Sequence, residues 1–137
     1  MKKILLIFVL ISTSLISFCQ QTLEVELVSI SNIYFNCDGS EWTHKVIVNQ
    51  KLLLKNKSVY LNLSETNILF IEINCHKNEK RQSNYGDNSV LIDLNEIDLS
   101  KVYSFTTEVT IIENGECYKD NKIKWKYSFI IKKINKN

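Results

Sequence analysis

Proline does not occur in this chain, and glycine occurs only three times. For a strand-rich sequence this leaves the turns to Asn, Asp, Ser and Lys. There is no glycine-rich loop to cradle a phosphate, which sets aside the nucleotide-binding motifs that depend on one. No segment keeps a helical hydrophobic period, and no repeat or low-complexity tract is present. Charge of one sign is also missing: 17 basic side chains face 15 acidic ones. Nucleic-acid binding needs a basic stripe, so that class of partner is excluded. The short basic tail Lys132, Lys133, Lys136 reads as a solvated end. Richness in Ile, Asn and Lys fits a low-GC bacterial genome.

The one long hydrophobic run stands at the start. MKKILLIFVLISTSLISFCQQ has a charged n-region (Lys2, Lys3), an apolar h-region (Ile4 to Leu15) and small side chains at Ser17 and Cys19. This predicts a secretory signal over residues 1–19 with cleavage before Gln20. The run is short of the roughly 20 residues that a membrane span needs. Cys19 raises a second processing route, lipid attachment at the cysteine, but that route favours a small preceding residue and Phe18 is large. The mature segment 20–137 is then 118 residues, one domain with a real core, carrying 15 basic and 15 acidic side chains. The predicted location is secreted or periplasmic.

Alternation of apolar and polar residues predicts about eight strands. Leu23, Val25 and Leu27 open the first, which runs toward Phe35. Trp42, His44, Val46 and Val48 share one side of the second, and Asn49-Gln50 closes a tight hairpin into Leu52–Leu54. Val59, Leu61 and Leu63 follow. Leu69, Ile71, Ile73 and Cys75 form a core strand, and Val90, Ile92 and Leu94 a return strand. Between these two lie about a dozen residues with little to bury, read as a long polar loop. NEIDLSK after Leu94 predicts a single helical turn. Tyr103, Phe105, Val109 and Ile111 share a face, as do Ile123, Trp125, Tyr127, Phe129 and Ile131. The expected fold is all-β, a single antiparallel sandwich of two sheets, C2-like or immunoglobulin-like.

If each strand runs antiparallel to the one before, alternate loops leave at the same end. Loops 36–41, 77–88 and 113–122 then share one pole, provided that Leu52–Leu54 is a strand of its own. Trp42, Tyr85 and Tyr118 would place aromatic rings there, and Asp38 and Asp87 carboxylates. Exposed aromatics at such a pole suit stacking on sugar rings or anchoring a protein. Trp42 has a competing role, packing over the edge of the core.

Several segments together resemble the C2 domain, an eight-stranded sandwich that meets calcium and phospholipid. FNCDGSEWTHKVIV resembles its first binding loop and following strand. SVYLNLSETNILFIEINCH resembles the strands leading into its third loop, and YGDNSVLIDL the return. The resemblance implies Asp38 and Asp87 as calcium ligands and a membrane surface as partner. Where calcium-binding members carry two acidic side chains, this chain has Asn74 and His76. Calcium takes six to eight hard oxygens, so the ligand set is incomplete.

Other chemistries are less well supplied. Cys37, Cys75 and Cys117 remain after cleavage, and Cys37 with Cys75 is the disulfide candidate in an oxidising compartment. Cys37, His44, Cys75 and His76 contain the atoms of a zinc site, but in no compact ligand spacing. Cys75 and His76 are adjacent on a strand and point to opposite faces, which defeats a nucleophile–base pair. Nothing singles out a carboxylate pair from Asp38, Asp87 and Asp93. The expectation is a non-catalytic binding module without a cofactor, recognising an extracellular or periplasmic protein or glycan. The alternative is a C2-like calcium and phospholipid binder, and a small hydrolase or metal enzyme ranks third.

Overall fold

A computed structural model describes residues 20–34, 42–78, 83–112 and 122–136. The segment 1–19 with Cys19, and Cys37, Asp38, Cys117 and Tyr118, lie outside the described residues. Eight strands are found among those described: β1 (Gln20–Tyr34), β2 (Trp42–Val48), β3 (Lys51–Leu53), β4 (Ser58–Asn62), β5 (Ile68–Asn78), β6 (Ser83–Asp93), β7 (Tyr103–Ile112) and β8 (Lys122–Lys136). They form two four-stranded antiparallel sheets, sheet A in the order β4-β1-β8-β7 and sheet B in the order β3-β2-β5-β6. The architecture is the expected all-β two-sheet sandwich, and Lys51–Leu53 is a separate strand.

Side-chain alternation decides which face each strand buries. Leu69, Ile71, Ile73 and Cys75 of β5 are completely buried, and so are Ile123, Tyr127 and Ile131 of β8. Leu23, Val25 and Leu27 of β1 join them between the sheets. A Leu or Ile taken fully out of water contributes about 1.5–3 kcal/mol, so these rows supply most of the drive to fold.

Strand β1 departs from strict alternation. Leu27 pairs with Phe129 and Ser29 with Ser128, so Val28 is an extra residue in a bulge. The bulge turns Ile30 inward opposite Tyr127, although it lies three residues after Leu27.

The β2–β3 hairpin turns at Asn49 and Gln50, with φ of 43° and 68°. Two positive φ values in a two-residue loop match the twist of the flanking strands. Asn49 suits the site because its side chain also replaces strand pairing: Phe70 N donates to Asn49 Oδ1 (2.7 Å), and Asn49 Nδ2 donates to the Ile68 carbonyl (3.1 Å).

Two sequence expectations are corrected. The supposed long loop 77–88 is mostly ladder: β5 and β6 stay paired from Ile68↔Asp93 to Asn78↔Ser83. Only 79–82 lie between the two strands, outside the described residues. Alternation hid this extension, because Tyr85, Asp87 and Ser89 are exposed on the outer face while Gly86 is the buried residue between them. Residues 95–101 form successive turns and no helical turn. Asp93 and Asp98 side chains accept from the backbone N–H of Asn95 (2.9 Å) and Ser100 (3.0 Å), an arrangement that competes with helix.

Candidate binding end of the sandwich

The ends of β1, β5 and β7 and the starts of β2, β6 and β8 come together at one end of the molecule. Within sheet A, Ile112 pairs with Lys122, and Tyr34 with Lys124. Within sheet B, Trp42 pairs with Lys77, and Asn78 with Ser83. Ring packing between Trp42 and Trp125 (5.8 Å between centroids) joins the two sheets there. The connections 35–41, 79–82 and 113–121 all depart from this end, although their own residues lie outside those described.

Beneath those connections the inward rows change character. Farther down they are mostly aliphatic, with Phe129 among them; here they bring together Trp42 and His44 on β2, Cys75 and Lys77 on β5, and Trp125 and Tyr127 on β8, with the aliphatic Ile123 beyond them on β8. His44 sits directly across from Cys75 in the β2–β5 register. Its Nδ1 is 2.9 Å from the Tyr127 hydroxyl, which reaches over from the other sheet. The His44 ring also stands edge-on to Trp125, 4.4 Å between centroids at 69°. Lys77 is only 4% exposed, and its ammonium lies 6.0 Å from the Trp42 ring centre. The indole N–H groups of Trp42 and Trp125 are both buried and find no hydrogen-bond acceptor among the described residues.

Burial governs the ionisation of this cluster. It pushes the Cys75 thiol up to about 11, even though a hydrogen bond with Tyr127 works the other way. The Tyr127 phenol is raised by its own burial and by Cys75. The His44 imidazole is lowered, first by burial and then by the positive fields of His76 and Lys55. A thiol held protonated in an apolar enclosure makes a poor nucleophile. Cys75, the expected disulfide partner of Cys37, is a free thiol here: its side chain points between the sheets toward Tyr127.

The other predicted residues that are described lie on the opposite face of sheet B. Tyr85 is 58% exposed and pairs with His76; Asp87 is exposed and pairs with Asn74. The Tyr85 hydroxyl donates to Asn74 Oδ1 at 2.5 Å. Thr43 and Lys45 complete these two cross-strand rows from β2. The structure therefore brings Tyr85 and Asp87 together but separates them from Trp42, whose ring is directed inward. For calcium the described residues offer Asp87 and Asn74, whose amide oxygen already accepts from Tyr85. That pair falls well short of an oxygen cage. No group of three metal-ligating side chains occurs among the described residues.

Sequence reasoning missed the His44–Tyr127–Cys75 contact. The signal was present: three separate alternating rows each carry, near one end, residues with both an apolar body and a polar tip. Only the register shows that those ends coincide. Elsewhere, an open depression of about 440 Å³ on the outside of sheet A, lined by Val28, Thr106, Ser128 and Ile130 among others, has no ionisable side chain in its lining.

Fold and site together define a small two-sheet antiparallel β-sandwich with an aromatic and polar plug at one end. The chain matches no protein-family model and no curated protein sequence.

Proposed function

We propose that this chain is a small exported bacterial β-sandwich acting as a non-catalytic binding module. Its ligand surface is the end from which the 35–41, 79–82 and 113–121 connections leave. The observation that carries this reading is the convergence, at that end of a rigid scaffold, of the six strand ends that flank the three connections. Tyr85 and Asp87, on the outer face beside it, are candidate contact residues, together with Asp38 and Tyr118 on the connections. Trp42 serves as the packed base beneath them. The partner class is an extracellular or periplasmic protein or glycan. The buried, protonated Cys75 thiol is itself a poor nucleophile.

The test is retention of the protein on a glycan array and on isolated cell-surface proteins. Tyr85→Ala, Asp87→Ala and Tyr118→Ala should each reduce it, while Leu52→Ser toward the far end of sheet B leaves it unchanged. Equal loss from Leu52→Ser, or no loss from the three, would move the surface elsewhere. The finer C2-like reading, with calcium held by Asp38 and Asp87 and a phospholipid surface as partner, draws on the two four-stranded sheets and the position of Asp87. It requires a higher melting temperature in millimolar calcium. An unchanged melting temperature removes it.

A further inference from the structure

We propose that the open side of the sandwich, where the edges of β6 and β7 run side by side, is a self-association surface. Two copies pair β7 with β7 and β6 with β6 about one two-fold axis normal to the sheets. Each four-stranded sheet thereby becomes half of a continuous eight-stranded one. The pairing stands whatever the connections at the candidate binding end recognise.

The two sides of the sandwich are built differently. On one side the edges are β3, three residues long, and β4, five residues long. Lys51 Nζ donates to the Tyr60 carbonyl there (2.8 Å), which occupies an outward acceptor of β4. Short strands and lysines keep an edge from recruiting another chain. On the other side β6 and β7 are 11 and 10 residues long, with no Lys, Arg or Pro in either. Their ladders to β5 and β8 run without a register shift, so no bulge turns either edge away. Neither has a second strand neighbour in its sheet among the described residues.

The ladders decide which backbone groups these edges offer. Phe70 turns its N–H and C=O toward Asn49 at the end of β2, so Leu69, Ile71 and Ile73 bond to Ile92, Val90 and Asn88 of β6. Tyr85, Asp87, Ser89 and Leu91 therefore turn their backbone groups outward. On β7 the Glu108 carbonyl points out and accepts from Asn88 Nδ2 (2.8 Å), so Ser104, Thr106, Thr110 and Ile112 turn out with it. Asn88 Nδ2 also donates to Thr107 Oγ1 (2.9 Å), and Asn88 Oδ1 accepts from Ser89 N (2.8 Å). This one amide spans the seam and sets Asn88 and Thr107 at the same level.

An axis at that level gives both edges a self-complementary register. On β7 it sets Thr107 against its own copy, Thr106 against Glu108, and Phe105 against Val109. Val102 and Ile112, 64% and 73% exposed in the single chain, then cover each other. On β6 it sets Tyr85 against Leu91, which is 69% exposed, Asp87 against Ser89, and Gly86 against Val90. Thr–Thr and aromatic–β-branched pairs are favourable across antiparallel strands, and like charges directly opposite are not. This register opposes no like charges directly, whereas an axis at Glu108 would set that carboxylate against its own copy. Asp87 and Glu108 stand only diagonal to their copies, at the surface, where salt screens them.

Outward-facing residues meet outward-facing residues in both seams. Thr106 with Glu108, and Asp87 with Ser89, each exchange two backbone bonds. The Ser89 N–H passes from Asn88 to the Asp87 carbonyl of the second copy, and the Glu108 carbonyl uses its second lone pair. Strands related by this axis run in opposite directions, so the two candidate binding ends of the pair face opposite ways.

Sedimentation velocity of the full chain at physiological salt, over a concentration series reaching the sub-millimolar range, should show a monomer–dimer equilibrium. Thr106→Pro removes an N–H that faces the open side and leaves the ladder to β8 intact. It should raise the dissociation constant at least tenfold, with far-ultraviolet dichroism confirming the fold. Leu91→Lys, at a position the single chain leaves in water, should weaken the pair several-fold and serves if the proline variant does not fold. Leu52→Ser, on the guarded side, should leave the constant unchanged. Thr107→Cys, treated with oxidised glutathione, should form a 107–107 disulfide between copies that peptide mass mapping identifies, and Thr110→Cys should not. A chain that stays monomeric throughout the series overturns the proposal. So does a dimer that keeps its affinity in the folded edge variants, or one that Leu52→Ser weakens as much as Leu91→Lys does. A Thr107→Cys chain that cross-links no faster than Thr110→Cys overturns it too.

Discussion

Gly86 on β6 lies directly against Ile111 on β7, across the gap between the sheets. A Cβ built on Gly86 would overlap Ile111 Cγ1 and stand 2.9 Å from Val109 Cγ1. Both neighbours are fully enclosed, at 1% and 0% exposure, so neither has open space to move into. Gly86→Ala should therefore overpack the seam and cost about 1–3 kcal/mol. Chemical denaturation measures this as a lower midpoint at constant slope. An unchanged midpoint would mean that β6 and β7 can part at this edge without penalty.

The β2–β3 turn offers substitutions of opposite sign. Asn49→Ala removes the side-chain bonds to Phe70 N and the Ile68 carbonyl, and should cost about 1–2 kcal/mol. Gln50 has φ of 68° with a Cβ present. Gln50→Gly should relieve that conformation and stabilise by about 0.5–1 kcal/mol. Thermal melts of the two variants should move in opposite directions. If both move down, the turn does not limit stability.

On the outer face of sheet A, Glu24 accepts from Ser58 Oγ at 2.7 Å and meets Lys132 Nζ at 3.0 Å. Burial alone would raise the Glu24 pKa, but the bonds from Ser58, Lys132 and Tyr60 outweigh it and leave it lowered. Its contribution is therefore present above the unfolded value near 4.5 and is lost as the pH falls through the folded one. The Lys132 pKa is raised by the same pairing, so its part is present below about 10.5 and is lost as the pH rises through the raised value. Glu24→Gln should cost about 0.5–1 kcal/mol at pH 7, allowing for solvent screening. It should also flatten the acid limb of stability against pH. An acid limb of the same slope in the variant would assign that loss to other carboxylates.

Cys75 should be chemically silent in the folded protein. Its thiol is fully buried and pushed up to about 11, so at pH 8 it is both shielded and protonated. Alkylation followed by peptide mass mapping should leave Cys75 unmodified under native conditions and fully modified in denaturant. Rapid native modification would show that β5 separates from β8 on the timescale of the reagent.

The sandwich was legible wherever one strand face is aliphatic. Leu69, Ile71, Ile73 and Cys75 read as a buried row and are one. Legibility ended where burial stops selecting side chains. The continuation of β5 and β6 toward Asn78 and Ser83 carries polar residues outward and a glycine inward, so backbone pairing holds it without a hydrophobic signature. The helical-turn expectation failed because two aspartates bond to the backbone two residues on. At the candidate site, chain order was enough to gather the strand ends. It could not show that Trp42 faces one way from sheet B and Tyr85 the other, since that depends on register between strands distant in sequence.

Trp42 and Trp125 are the two tryptophans of the chain, and they pack ring against ring. Intrinsic indole emission from this protein is consequently a one-ended gauge. It watches the tip where β2 and β8 meet and is blind to Val59, Leu61 and Leu94. Superposition of an emission curve on one from far-ultraviolet dichroism would show that tip and body melt as a single unit. An emission curve running ahead would give the tip a free energy of its own.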